Sequence, residues 1–78
     1  MKNYYFTDVN ETVAQYFNRV VINHIRHAEK ETNPSYRYAS FEIDNMALSA
    51  IEVRDYCRAM GYEDAHNYKH RIITIWVK

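Results

Sequence analysis

Residues 36–43 read Tyr-Arg-Tyr-Ala-Ser-Phe-Glu-Ile, and the alternation in this stretch decides the fold. In a β-strand, successive side chains point to opposite faces of the sheet. The pattern therefore predicts a strand over residues 36–43 that directs Ala39 and Phe41 into a core and Tyr36 and Tyr38 to the opposite face. What these two tyrosines contact is the main functional question that the sequence raises.

A helix is predicted before this strand. Apolar side chains recur at three- and four-residue steps from Val13 to Ala28, which indicates an amphipathic helix of about five turns. The spacing of Asp8 and Glu11 is typical of a capping box at the start of such a helix. Pro34 ends the helix, because the residue before a proline is disfavoured in helical backbone.

A second helix is predicted after the strand. Ser49 and Glu52 have the spacing of a capping box, and Leu48 and Val53 occupy the two positions of a hydrophobic staple. Gly61 follows the apolar stripe and supplies the left-handed residue that commonly ends a helix. These signals predict a helix that begins at Ser49 and stops before Gly61.

The rest of the chain is predicted to contain a polar loop over residues 63–69 and a final strand over residues 70–78. The alternation in the final strand predicts a core face formed by Ile73, Ile75 and Val77. The opposite, outer face is then formed by Ile72, Thr74 and Trp76. Residues 2–7, Lys-Asn-Tyr-Tyr-Phe-Thr, are interpreted as an edge strand or an extended arm.

These elements predict an α+β fold. The order (β)αβαβ is expected to form two layers, with two helices on one face of a small two- or three-stranded sheet. If the strands of residues 36–43 and 70–78 are neighbours, the connection through the second helix is expected to be parallel and right-handed.

The composition indicates one small domain spanning residues 1–78. Ten basic and ten acidic side chains cancel, so no field of the whole molecule attracts nucleic acid or an anionic membrane. Cys57 is the only cysteine, which excludes an internal disulfide and favours a reducing cytoplasm. Residues 1–11 lack the apolar segment of a signal peptide, and no apolar run approaches the ~18 residues of a membrane span. We therefore expect a cytoplasmic protein without a membrane partner.

The predicted layers leave one sheet face uncovered, and its side chains form the candidate binding face: Tyr36, Tyr38, Ile72, Thr74 and Trp76. Tyr and Trp are enriched at binding hot spots, because a rigid apolar ring ends in a hydrogen-bonding group. Three coverings fit the pattern. The aromatic arm at Tyr4-Tyr5-Phe6 could fold over the face, a second copy or a foreign protein could bind it, or nucleic-acid bases could stack on the rings.

From Phe41 onward the chain resembles the arginine-x-x-x-histidine domain family, which binds single-stranded nucleic acid. The resemblance covers about half the chain and consists of the strand Ser-Phe-Glu-Ile, the helix end Cys-Arg-Ala-Met-Gly-Tyr and the last strand Lys-His-Arg-Ile-Ile-Thr-Ile-Trp-Val-Lys. Where the family has its arginine and histidine, this chain has Ala50 and Arg54, so only Arg54 and the strand-entry Arg71 correspond to family positions. The candidate nucleic-acid contacts are Arg37, Arg54, Lys69, His70, Arg71 and Lys78.

Other chemistry has weaker support in the sequence. His24 and His27 lie three apart on the first helix, with Glu31 nearby, but a metal site requires this group to meet His66 or His70 in space. The chain contains no phosphate-binding glycine loop, no nucleophile elbow and no Cys-x-x-Cys motif. We therefore expect neither a metal nor a cofactor, and no enzymatic activity.

The sequence favours a non-catalytic interaction protein that binds another protein, or itself as a homodimer, through an aromatic sheet face. In size it resembles the small regulators and inhibitors that phages and other mobile elements encode. The alternative is a single-stranded nucleic-acid-binding domain. Under either hypothesis the substitution Arg71→Ala is expected to change stability little.

Overall fold

The computed structural model describes residues 11–77. The predicted edge strand or arm at residues 2–7 lies outside the described residues, as do Asp8 and Lys78. Within residues 11–77 the α+β class is confirmed, because the chain forms two helices and a three-stranded antiparallel sheet.

The first helix consists of three consecutive segments: α1 at Val13–Tyr16, a π turn at Phe17–Val21 and α2 at Ile22–Glu29. Thr12 is its N-cap and forms a capping box with Gln15. The backbone N–H of Gln15 donates to Thr12 Oγ1 at 3.1 Å, and the N–H of Thr12 donates to Gln15 Oε1 at 2.9 Å. The described helix is therefore capped four residues later than the sequence predicted.

The π turn changes which side chains of the first helix reach the core. Residues three and four apart share a face of an α-helix, yet Tyr16 and Val21, five apart, are both fully buried. A π turn closes its hydrogen bonds over five residues and so aligns this pair. Val13 and Val20, which regular periodicity assigns to the core, are only partly buried.

The second helix, α3, spans Ala50–Ala59 and confirms its predicted boundaries. The capping box between Ser49 and Glu52 is present in both directions. At the other end Gly61 has a φ of 105°, and the N–H of Tyr62 donates to the carbonyl of Cys57 at 3.0 Å. This pattern is a Schellman motif, which requires a left-handed residue after the helix and explains the single glycine.

The strands are β1 at Tyr38–Glu42, β2 at Ala65–Lys69 and β3 at Ile72–Trp76. Their order in the sheet is β1-β3-β2, and both pairings are antiparallel. The expected parallel pairing is therefore wrong. Residues 65–69, which the sequence assigned to a polar loop, form a strand that reverses the chain before β3, so β3 meets β1 in the antiparallel direction.

The core is one cluster of buried side chains from both helices and from alternate positions of the strands. Phe41 of β1 and Ile73 and Ile75 of β3 are buried, as alternation predicted, and they join a single cluster with side chains from both helices. Phe17 of the first helix packs edge to face on Tyr56 of α3, with ring centroids 5.3 Å apart. Neither helix is long and apolar enough for a membrane crossing within the described residues.

Candidate interaction surface on the sheet

The side of the sheet opposite the core is organised in three rows by the strand register. Residues directly opposite each other in antiparallel strands point to the same face. One row consists of Tyr38 and Trp76, the middle row of Ser40, Thr74 and His66, and the last row of Glu42, Ile72 and Lys69. We call these eight side chains, together with Tyr68, the outer face.

The aromatic row carries the most exposed apolar surface of β1 and β3. The rings of Tyr38 and Trp76 lie 4.7 Å apart between centroids, tilted by 42°. Tyr38 is 42% exposed and Trp76 is 40% exposed. The two rings therefore pack on each other at the surface and do not enter the core, as the sequence predicted for this pair.

The middle and last rows are polar. The hydroxyls of Ser40 and Thr74 lie 3.1 Å apart and form a hydrogen bond across the strands. Thr74 and Ile72 are half-buried, so only part of each contributes accessible surface. Glu42 and Lys69 are both exposed and place opposite charges on either side of Ile72.

Strand β2 adds two rings that the sequence did not predict for this face. His66 pairs with Thr74 in the register, and its ring lies 5.5 Å from that of Tyr68, which is 67% exposed. The alternation of Ala65 and His66 was the only signal for this strand. It was weak because a bulge between Asn67 and Lys69 interrupts the alternation.

Tyr36 does not lie on the strand face to which the sequence assigned it. It belongs to a 3₁₀ turn at Pro34–Tyr36 and not to β1, because the side chain of Asn33 caps this turn by accepting from the N–H of Ser35 at 2.9 Å. Tyr36 is 60% exposed. It lines a groove of about 580 Å³ beside the edge of β1, with His24, His27 and Glu31 of the first helix and its C-terminal turn on the opposite wall.

Arg71 has a structural role. Its Nη2 donates to the carbonyls of Asn45 at 2.6 Å and Leu48 at 2.8 Å, and its Nε donates to the carbonyl of Ile43 at 3.4 Å. These bonds hold the segment between β1 and α3 against the start of β3. The guanidinium is thereby bound by three backbone carbonyls, and we now expect Arg71 to contribute to stability, contrary to the expectation from the sequence.

The other candidate nucleic-acid contacts do not converge on one patch. Arg37 donates to the carbonyls of Glu29 and Glu31 at 2.8 and 2.6 Å, which satisfies the end of the first helix. Arg37 and Arg71 sit at opposite ends of the β1–β3 ladder. On α3, Arg54 pairs with Asp55 at 2.9 Å.

Two further candidate contacts lie together at the turn of the β2–β3 hairpin. Lys69 and His70 are both exposed there, while Lys78 lies outside the described residues. The outer face therefore has one positive charge at this corner, from Lys69, and no extended basic track in the described part of the chain.

The histidines and the cysteine have local structural roles. The ring of His24 stacks on Phe41 at 4.4 Å with an interplanar angle of 7°. His66 Nδ1 lies 3.4 Å from Nη2 of Arg58. Among residues 11–77, no three His, Cys, Asp or Glu side chains come together as metal ligands would. Burial raises the pKa of the Cys57 thiol to about 12, which keeps it protonated and unreactive at neutral pH.

A half-exposed ion pair at the start of the first helix is joined to the segment after β1 through Asn45. Arg19 binds Glu11 through two bonds, of 2.7 and 3.0 Å, and the Glu11 side chain is only 6% exposed. Asn45 donates to the same carboxylate at 2.8 Å. The hydrogen bond from Arg19 lowers the pKa of Glu11, although burial opposes this effect.

The hydroxyl of Tyr16 lies beneath this ion pair. It is fully buried and has no hydrogen-bond partner among residues 11–77. Burial raises the pKa of Tyr16 to about 12. The nearby backbone of Asp44 lowers the pKa of Tyr16 and so partly offsets the effect of burial. It does not form a hydrogen bond of ordinary geometry with the hydroxyl.

Comparison of the chain with protein families, with curated proteins and with solved structures finds no match. The function is therefore argued from the geometry of residues 11–77.

Proposed function

We propose that this chain is a non-catalytic interaction protein, a small cytoplasmic regulator or inhibitor that binds another protein through the outer face. The observation that carries the proposal is the pair Tyr38 and Trp76, two rings that pack on each other at a tilt and each remain about two-fifths exposed. Rings of this kind bury ~150 to 250 Å² each when covered, and Tyr and Trp dominate binding hot spots.

The distribution of polarity over the outer face supports this proposal. Interfaces typically combine a central apolar anchor with a polar rim. Here the aromatic row offers the anchor, the Ser40 and Thr74 hydroxyls share one hydrogen bond, and Glu42 and Lys69 offer charges at the margin. A partner that covers the rings therefore buries hydroxyls that already have one hydrogen bond, which lowers the usual cost of burying polar groups.

The titratable groups with displaced pKa values support a non-catalytic role. Those of the described residues are Glu11, Tyr16, Arg19 and Cys57. Catalytic groups with shifted pKa values usually meet in an accessible cleft. Here Tyr16 and Cys57 are sealed in the core, and Glu11 and Arg19 neutralise each other.

The proposal is tested by site-specific photo-crosslinking in cells that produce the protein. A photoreactive phenylalanine analogue is placed at Tyr38, and the matched control carries it at Met46, which is 79% exposed but lies outside the sheet. We expect one defined protein adduct from position 38 and a diffuse or absent product from position 46. Equal labelling from both positions would contradict a binding site on the outer face, because simple exposure favours Met46.

Single-stranded nucleic acid is the alternative partner, and one observation favours it. Exposed rings on a sheet face, here Tyr38, Trp76 and Tyr68, are suited to base stacking, and Lys69 follows Tyr68 in β2. Against it, Arg37 and Arg71 are engaged by backbone carbonyls. A titration of Trp76 fluorescence with a single-stranded oligonucleotide distinguishes the two partners. We expect no change, whereas quenching that disappears with added salt would favour nucleic acid.

A further inference from the structure

The two open edges of the sheet differ. Because the strand order in the described part of the chain is β1-β3-β2, strands β1 and β2 each have one side without a neighbouring strand there. An exposed edge presents unpaired backbone N–H and C=O groups and is a template for another strand. Proteins commonly protect such edges with bulges or with side chains that occupy the backbone groups.

The edge of β2 is protected in both ways. The bulge between Asn67 and Lys69 interrupts its regular spacing. The N–H of Ala65 donates to the carbonyl of Tyr62 at 3.2 Å, and the carbonyl of Ala65 accepts from Nε of Arg58 at 2.9 Å. A further strand cannot pair with β2 in a regular ladder without displacing these contacts.

Within residues 11–77, the edge of β1 has no hydrogen-bonded neighbour along Tyr38–Glu42. The N–H of Val77 donates to the carbonyl of Arg37, and the N–H of Ile43 donates to that of Arg71. Hydrogen-bonded and non-hydrogen-bonded pairs alternate along an antiparallel ladder. Because these two bonds belong to hydrogen-bonded pairs at either end of the ladder, the pairs that exchange no hydrogen bond are Tyr38–Trp76, Ser40–Thr74 and Glu42–Ile72. The backbone groups of Tyr38, Ser40 and Glu42 therefore point away from β3, and within residues 11–77 they make no hydrogen bond.

Space beside this edge is available. The groove of about 580 Å³ runs between α2 and β1, with His24, His27 and Ala28 on the helix side and Tyr38 and Ser40 on the strand side. The helix therefore stands beside the strand edge without sealing it. An approaching strand gains contacts with these helical side chains in addition to the backbone ladder.

We propose that the occupant of this edge is β1 of a second copy of the chain, paired antiparallel about Ser40. The three free positions are spaced two residues apart and are symmetric about Ser40, so each copy offers the donors and acceptors that the other needs. In this register Ser40 faces the second Ser40, and Tyr38 faces Glu42 of the other copy. A phenol and a carboxylate are complementary as hydrogen-bond donor and acceptor.

Other registers satisfy fewer groups. A slip of two residues in either direction leaves one of the three free positions of each copy without a partner in the opposite strand. A larger slip toward the end of β1 places the two Glu42 carboxylates opposite each other, which is unfavourable. The centred register is therefore the one that this edge specifies.

The resulting dimer has a continuous six-stranded sheet. A two-fold axis perpendicular to the sheet keeps both outer faces on the same side, so the dimer presents two Tyr38–Trp76 pairs on one surface. The dimer uses the backbone groups of Tyr38, Ser40 and Glu42, whereas the proposed function uses the exposed rings of Tyr38 and Trp76. This inference therefore stands whether or not the outer face binds a foreign protein.

The test uses the mass of the full chain in solution, measured by sedimentation equilibrium over a wide concentration range. We expect a reversible monomer–dimer equilibrium. Ser40→Lys and Ser40→Glu each place like charges opposite each other at the two-fold axis and should weaken dimerisation by about tenfold or more. An equimolar mixture of the two variants should restore a dimer, now a heterodimer.

Thr74→Lys is the matched control. It removes the same hydroxyl pair and adds the same charge, but on the central strand β3, and dimerisation should be unchanged. A monomer at every concentration, or a dimer insensitive to Ser40→Lys, would overturn the proposal. Dimerisation that appears only after removal of residues 1–9 would also overturn it and would assign the edge to the N-terminal segment of the same chain.

Discussion

Arg71 joins the β2–β3 hairpin to the segment between β1 and α3 through three backbone carbonyls. Hydrogen bonds from a charged group contribute ~1.5 to 3 kcal/mol each, and carbonyls left half-buried without a donor are costly. We expect Arg71→Ala to lower the free energy of unfolding by about 2 to 4 kcal/mol, measured by urea denaturation. Lys69→Ala, an exposed neighbour, is the control and should change it by less than about 0.5 kcal/mol. Equal effects of both substitutions would contradict this role of Arg71.

Glu11 predicts a pH dependence of stability. Its pKa is lower in the folded protein than the ordinary 4.5, chiefly because Arg19 donates to the carboxylate. The stabilisation is fully present above 4.5 and is lost as the pH falls through the lowered folded-state pKa. We therefore expect the unfolding free energy of the wild-type chain to fall in this acidic range.

Glu11→Gln tests this assignment. The amide does not titrate, so the variant should be less stable at neutral pH and should lose less stability on acidification than the wild type. The measurement is urea denaturation of both proteins at a series of pH values. Parallel pH profiles for the two proteins would show that Glu11 is not the responsible group.

At the scale of elements, the π turn at Phe17–Val21 sets the rotation of α1 about the helix axis, and so determines which α1 side chains face the core. Each residue of an α-helix turns the chain by about 100°. Deletion of Asn18, an exposed residue within the turn, should convert the turn to α-helix and rotate Tyr16 out of the core. We expect a loss of several kcal/mol, in the range of about 3 to 5 kcal/mol for a buried aromatic ring. The control Asn18→Ala keeps the chain length and should retain wild-type thermal stability.

The β2–β3 hairpin contains a conformation that its residue disfavours. His70 has a φ of 45°, in the left-handed region, which costs an ordinary residue roughly 1 to 2 kcal/mol. Replacement by glycine removes this strain but increases the entropy of the unfolded chain, so His70→Gly should stabilise the protein by about 0.5 to 1 kcal/mol. The same change at Lys69 should destabilise it. A melting temperature lower than that of the wild type for His70→Gly would contradict the inference that the backbone of His70 is strained.

The first strand of this hairpin, β2, carries few of the sequence signals that predict a strand. Hairpin turns are usually marked by Asn-Gly or Asp-Gly, whereas here His70 and Arg71 form the turn. Its first strand, Ala-His-Asn-Tyr-Lys, is polar and carries a bulge. Neither local signal was present, so β2 was missed, and with it the antiparallel sheet order.

At the scale of the whole molecule, the features that alternation and capping encode were predictable. The α+β class, the buried faces of β1 and β3 and the exposed pair Tyr38 and Trp76 follow from periodicity of two, and α3 follows from Ser49 and Gly61. Features that depend on tertiary contacts were not predictable. The π turn and the backbone bonds of Arg71 involve segments whose proximity no local pattern reveals.

The outer face is open surface with Trp76 at its aromatic end. Trp76 is the only tryptophan of the chain, so its fluorescence reports on this face alone. The most direct test is quenching by neutral acrylamide in the folded and the urea-unfolded protein. An open face predicts that the folded protein is quenched to a substantial fraction of the unfolded value, with emission at long wavelength. Blue-shifted emission with almost no quenching would show that the ring is enclosed and would contradict the account.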